Sequence, residues 1–188
     1  HRARKADDYL FPPIAAYVGP RYVGAFAEAG VQLYTFNVRG AWWLGPGQYD
    51  FSILDDYLND YVARIPNGYF MPRIDLARQG HPWWGEAHPS EMNVLRSIET
   101  GEVISQFEPD PRVSAYLGHE VRLDGLNLHS FHSAVWRADA AQAVYDLVAH
   151  CEAQPYAERI WAWHLCDGLF CEWFHWNEYH FAGMADYS

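Results

Sequence analysis

Cationic side chains are scarce in this sequence. Lys and Arg together number 13 against 24 Asp and Glu, a formal net charge of −11 over 188 residues. Nucleic acids and anionic membrane surfaces are bound through Lys/Arg patches, so neither is an expected partner, and a neutral ligand suits the balance better. Cysteine is equally sparse, with Cys151, Cys166 and Cys171 alone. An odd number without a CxxC pair argues against a disulfide framework and against a four-cysteine zinc site. One bridge, Cys166 to Cys171, stays open. No apolar run approaches the ~18 residues of a membrane helix, and no signal peptide is visible. HExxH, GxSxG, P-loop and GxGxxG motifs are all missing, which turns the reading away from zinc proteases, nucleophile elbows, nucleotides and dinucleotides. Ten histidines are present. The sets His129-x-x-His132 and His175 through His180 do not match the converging spacings of a metal site. No metal and no cofactor is expected.

Aromatics are what the chain has in excess. They make up 17% of the residues, nine of them Trp, and half of all residues are hydrophobic. That is enough for one domain with a real core and too apolar for disorder. Trp, Tyr and Phe also line ligand sites.

Taken in order, His1 to Tyr9 reads as an irregular lead-in. Ile14 to Val18 is a short buried strand between Pro12-Pro13 and Gly19-Pro20. Tyr22 to Ala29 is a helix stopped by Gly30. Val31 to Val38 is the second strand, and Arg39 to Tyr49 a loop holding Trp42 and Trp43. Ser52 and Asp55 match a capping box. It opens a helix with Ile53, Leu54, Tyr57, Leu58, Tyr61 and Val62 at helical spacing, ended by Pro66. Tyr69 to Leu76 is the third strand, although Pro72 removes a ladder donor that a central strand needs. Gln79 to Glu91 is a loop with Trp83 and Trp84. The span 92–127 reads as an insertion with a small hairpin drawn from Glu102 to Phe107 and Val113 to Leu117. Ser133 caps a helix over Ala134 to Ala153, with Val135, Ala138, Ala141, Val144, Tyr145 and Val148 inward. Ile160 to Leu165 is the fourth strand. Ala185 to Ser188 resembles the lead into another helix, which with the opening at His1 suggests a portion of a longer protein.

Strands alternating with helices imply parallel βα units. The long aromatic loops all follow strands, which in a β/α barrel is the functional face. The expected fold class is therefore α/β, the first four units of a (β/α)8 TIM-type barrel, with residues 1–188 as a single domain. Half a barrel would leave two sheet edges that invite self-association.

Just past the fourth strand, Glu172 stands among Phe170, Trp173, Phe174 and Trp176. Aromatic faces stack on pyranose rings, and an apolar wall raises a carboxyl pKa so that it can donate a proton near neutrality. A surface Glu beside core aromatics is the plain alternative. Asp75 lies near a strand end, where an ion pair with Arg73 at a barrel rim is the simplest role. Asp167, beside Gly168, reads as a turn residue. Arg73 could hold a ligand hydroxyl or serve a structural salt bridge. Trp42, Trp43, Trp83 and Trp84, being in loops, are candidate ligand platforms, whereas Trp161 and Trp163 read as strand core. His164 is either a buried, hydrogen-bonded histidine or a subsite residue.

Read together, Gly45-Pro46-Gly47-Gln48-Tyr49-Asp50-Phe51-Ser52-x-Leu54-Asp55, Pro72-Arg73-Ile74, Pro82-Trp83-Trp84…His88-Pro89-x-Glu91, Ser130-Phe131-His132-Ser133-x-x-Trp136 and Glu172-Trp173-Phe174-x-Trp176 resemble the family 42 type of β-galactosidase, or a close relative in the clan of retaining β/α-barrel glycoside hydrolases. The resemblance spans nearly the whole chain and the front half of that family's barrel. It implies an acid/base carboxylate after strand four, the place of Glu172, and a nucleophile from a later strand that no residue here supplies. It also implies a carbohydrate substrate, held by Arg73, Trp42, Trp43, Trp83, Trp84 and Trp173. One departure stands out. The clan has Asn immediately before the acid/base, and this chain has Cys171. The alternative from another class is a non-catalytic carbohydrate-binding domain. The sugar and the compartment, cytoplasmic or secreted, are not legible.

Overall fold

The computed structural model of the chain describes residues 15–38, 42–76, 82–92, 94–97, 100–104, 129–166 and 183–186. Its centre is a four-stranded parallel sheet. The strands are β1 (Ala15–Tyr17), β2 (Leu33–Val38), β5 (Tyr69–Asp75) and β8 (His164–Cys166), side by side in the order they occur along the chain. Leu33 pairs with Ala15 on one side and with Tyr69 on the other, and Arg73 pairs with His164. Because all four run the same way, their C-terminal ends at Val18, Val38, Leu76 and Cys166 share one edge, as the βα alternation predicts. The result is a mixed α/β fold, and closure into an eight-stranded barrel lies beyond the four described strands.

One face of the sheet is sealed by helices. Tyr34, Phe36 and Val38 alternate along β2 and are buried, as are Phe70 and Ile74 on β5. The helix α2 (Ser52–Arg64) turns Leu54, Leu58 and Tyr61 onto them, the stripe its sequence spacing predicts. Tyr61 stacks on Phe36 at 4.2 Å between ring centres and sends its hydroxyl to Val18 O at 2.8 Å. Each such side chain taken from water contributes roughly 1.5–3 kcal/mol. The hydroxyl bond also fixes where the helix end lies against the end of β1. Before it, the short α1 (Val23–Glu28) ends at Gly30, whose φ of 82° is the left-handed conformation that Gly adopts without a Cβ penalty.

Several elements differ from the sequence reading. Ser52 is the first residue of α2, not its cap. Its backbone N–H donates to Asp50 Oδ1 at 3.0 Å, and Asp55 turns its carboxylate to another helix instead of closing a capping box. The stretch 42–49 is a hairpin, β3 (Trp43–Gly45) and β4 (Gln48–Tyr49), reversed at Pro46-Gly47 with Gly47 at φ 65°. The stretch 82–91 contains a helix, α3 (Pro82–Ala87), followed by a 3-10 turn at Pro89–Glu91. Proline at a first helical position starts helices readily, because its missing N–H has no partner there anyway.

The long helix α4 (Ala134–Glu152) is capped as expected, with Ser133 Oγ accepting from Trp136 N at 3.0 Å. Its buried stripe, however, is Trp136, Ala140, Ala143, Leu147 and Cys151. Val135 and Tyr145, expected inward, are exposed. An alanine-rich helix has apolar residues on both sides, and the large Trp136 and Leu147 decide which side the core takes.

A second, three-stranded antiparallel sheet lies in the order β7 (Val103–Ile104), β6 (Val94–Ser97), β9 (Gly183–Asp186). The expected hairpin thus pairs 94–97 with 103–104, and residues 105–128, including Val113 to Leu117, lie outside the described residues. Ala185 and Asp186, expected to lead into a helix, instead pair with Leu95 and Val94. That pairing joins segments about ninety positions apart, which local sequence pattern does not encode.

Candidate functional site

Residues paired across neighbouring strands point to the same face, and successive residues alternate. The helix-covered face takes Tyr34, Phe36, Phe70 and Ile74. The opposite face therefore takes Tyr17 from β1, Thr35 and Asn37 from β2, Tyr69, Met71, Arg73 and Asp75 from β5, and His164 and Cys166 from β8. Asn37, Arg73 and His164 stand at one level, since Arg73 is in register with both others. Tyr17, Thr35 and Met71 form the level beneath. Asp75 and Cys166 form the level above, next to the C-terminal edge. An inner face built for packing alone carries branched apolar residues at such levels; this one carries an amide, a guanidinium, an imidazole and a carboxylate.

Pro72 sets that row. Phe70 O accepts from Trp161 N at 2.8 Å and Leu76 N donates to Cys166 O at 2.8 Å, so even-numbered residues of this strand bond toward β8. The N–H that Pro72 lacks would have pointed there. The ladder is interrupted at that point: Phe70 bridges Ile160, but Arg73 pairs with His164. Three steps on β5 thus face four on its neighbour, one extra residue as in a β-bulge. The proline that argued against a central strand is accommodated because its neighbour bulges over Trp161–Trp163. The bulge reverses the alternation beyond it. Ile160 pairs with a residue of the helix-covered face, yet His164 pairs with Arg73 on the inner one.

The electrostatics follow from the crowding. Arg73 lies over the Tyr17 ring, its Cζ 5.4 Å from the centroid. Partial burial pushes the His164 imidazole below its ordinary pKa, and the Arg73 guanidinium adds to the shift, so this imidazole is neutral at pH 7 with one donor and one acceptor nitrogen. Asp75 is buried, and its backbone carbonyl accepts from Trp42 Nε1 at 3.4 Å. Among the described residues no hydrogen-bond partner meets the buried Thr35 Oγ1 or Asn37 Oδ1. Buried oxygens in folded proteins are normally paired, so two on one face mark where an outside group would fit.

Of the residues singled out from sequence, Arg73 is on this face. Trp42, Trp43 and Trp84 are 2%, 1% and 2% exposed, so their rings pack inside the protein. Trp84 donates to Asp139 Oδ2 at 2.9 Å and meets Trp136 edge-on at 5.2 Å, while Trp43 lies 5.6 Å from Trp136. Loop position suggested platforms; the hairpin and α3 instead fold these indoles against α4. Trp83 is half-buried, its N–H donating to Trp43 O at 3.0 Å. Glu172 and Trp173, with Asp167 and Cys171, lie outside the described residues. Thr35, Asn37 and Tyr17 escaped the sequence reading, although the polar alternation within Leu33-Tyr34-Thr35-Phe36-Asn37-Val38 was a signal for them.

The histidines resolve into packing roles. His129 stacks on Trp136 at 3.5 Å. His150 Nε2 lies 2.9 Å from Asp55 Oδ1, which also accepts the Tyr156 hydroxyl. This trio ties α2 to the end of α4. Among the described residues no three His, Cys, Asp or Glu converge as a metal site would require. Cys151 and Cys166 carry thiols in no disulfide, and burial pushes the Cys151 thiol up to about 12, which makes it unreactive near neutrality.

No protein-family model matches the chain, and no curated protein matches it. Among solved structures the chain is similar to the β-galactosidase from the psychrophilic Marinomonas ef1, at 15% identity with a TM-score of 0.46. That match covers 84% of this chain and 22% of the β-galactosidase chain. The chain therefore spans about a fifth of the length of that protein.

Proposed function

We propose that this chain supplies the front half of a (β/α)8 barrel that hydrolyses O-glycosidic bonds by the retaining, two-carboxylate route, on a β-galactosidase-like substrate. The observation that carries the reading is the polar row on the inner face near the strands' C-terminal edge, beside which the fourth strand leads directly toward Glu172 and its aromatic neighbours. In this reading Glu172 protonates the departing oxygen and later activates water. Retention calls for a second carboxylate about 5–5.5 Å away as nucleophile, and that residue belongs to a later strand. Arg73 anchors a sugar hydroxyl, Trp83 and Trp173 offer faces for stacking, and no cofactor takes part.

The test is made on the full-length gene product. Glu172→Gln keeps the shape and removes the proton, and general acid–base assistance is worth roughly 10²–10⁴-fold. Glycosides with poor leaving groups should lose far more rate than those with activated phenols, which leave without protonation. Azide should restore part of the activity of Glu172→Ala on activated substrates, because it attacks without base help. An equal, small loss on both leaving groups with no azide effect would make Glu172 a bystander. A protein that binds sugars but cleaves none would be the carbohydrate-binding alternative.

A further inference from the structure

We infer that Asn37, Arg73 and His164 form a row that binds one neutral pyranose ring, and that Asn37 and His164 choose among its hydroxyl configurations. The inference rests on the glycoside reading above and assigns the sugar-recognising groups within it. The three residues stand in register on adjacent strands. Neighbouring strands are about 4.8 Å apart, so the outer two backbones are separated by about 9.6 Å, room for a hexose and its hydroxyls between the side chains. Their chemistry is mixed along the row. The Asn37 amide both accepts and donates, the guanidinium only donates, and a neutral imidazole does one of each. A sugar hydroxyl is donor and acceptor at once, so an alternating row reads its direction, which a row of cations cannot do.

Two observations favour an outside ligand over internal packing. The Asn37 Oδ1 and Thr35 Oγ1 oxygens are buried on this face and meet no partner among the described residues. The face is also open at its sides, with Tyr17 57% and Tyr69 42% exposed. A neutral ligand is favoured over an anion. Asp75 stands two residues beyond Arg73 on the same face, and the Arg73 guanidinium already lies over the Tyr17 ring. His164 reaches the row through the extra residue opposite Pro72, and bulges beside binding sites commonly re-aim a side chain in this way.

The experiment titrates galactose, its epimer glucose and galacturonate into the full-length gene product by calorimetry, with aryl-galactoside hydrolysis measured alongside. Asn37→Ala and His164→Ala should each weaken galactose about tenfold and change the galactose-to-glucose ratio, while Met71→Leu on the same face leaves both unchanged. Asn37→Ser and His164→Gln repeat the measurement if the alanine variants fail to fold. Galactose binding or galactoside hydrolysis with Kd and selectivity untouched by all four variants would overturn the row and leave the glycoside reading standing. Galacturonate bound more tightly than galactose would overturn the neutral-ligand assignment. Neither binding nor hydrolysis of any of these sugars by the wild type would overturn the glycoside reading and the row with it.

Discussion

The two adjacent tryptophans of α3 should respond to truncation in opposite ways. Trp84 is 2% exposed, edge-on to Trp136 at 5.2 Å, with its indole N–H on Asp139 at 2.9 Å. Replacing a buried Trp by Ala costs about 3–5 kcal/mol, the sum of lost transfer energy and the cavity left behind. The exposed side chain of Asp139 can turn to water, so little is added for its lost donor. A midrange loss of about 4 kcal/mol, divided by a urea dependence of about 2 kcal/mol per M, lowers the midpoint by about 2 M. Against a total stability of roughly 5–15 kcal/mol that is a large fraction.

Trp83 is half-buried and meets Trp43 edge-on at 5.2 Å. Trp83→Ala should cost about half as much, roughly 2 kcal/mol, and should weaken sugar binding, because part of its face is free to stack. Urea unfolding followed by far-UV circular dichroism gives both midpoints, and titration with galactose gives the second readout. A Trp84→Ala protein with an unmoved midpoint and weakened sugar binding would refute the reasoning, for it would make Trp84 the platform and the packed cluster an error.

Three further outcomes follow from single contacts. Ser133→Ala removes the cap on Trp136 N and the 2.5 Å donation to Glu91 Oε2, and should cost about 1–2 kcal/mol by chemical denaturation. Tyr61→Phe orphans Val18 O at a cost of about 1–3 kcal/mol, with ring stacking retained and therefore no change in the denaturant slope. His164 binds its proton less readily when folded than when unfolded, so it adds stability above its ordinary pKa of about 6.5, lost as pH falls through the lower folded value. His164→Gln should flatten the stability curve on that acid side, measured by thermal melts across pH, and leave pH 8 nearly unchanged.

What the sequence disclosed was local. Ser133 opens α4, Gly30 ends α1, and the Leu54, Leu58, Tyr61 stripe seats α2, each signal residing within one turn of chain. The strand order was legible too, because strands that alternate with helices have few ways to pair. The illegible parts depend on distant partners. Asp55 abandons a local cap for His150 and Tyr156 on another element. Trp42 and Trp43 are drawn inward by a hairpin whose packing surface, α4, begins some ninety residues later. On α4 itself, periodicity offered two faces, and only Trp136 meeting Trp43 and Trp84 selects between them.

Pro72 shows how a local conflict can carry the information. A proline in a strand flanked on both sides contradicts the ladder, so either the strand assignment or the ladder has to yield. Here the ladder yields, on the side that faces β8. Had the Phe70–Ile160 register continued without interruption, Trp163 would stand opposite Arg73 and Leu165 opposite Asp75, and the inner face would be apolar there. The extra residue puts His164 and Cys166 in those places instead. A one-residue shift moves every later side chain to the other face, so this one proline governs the chemistry at the end of the fourth strand, from which the chain runs on toward Glu172. Natural sequences tend to break local rules where a site is built. In this chain the broken rule and the polar row occupy the same three rungs of the same two strands.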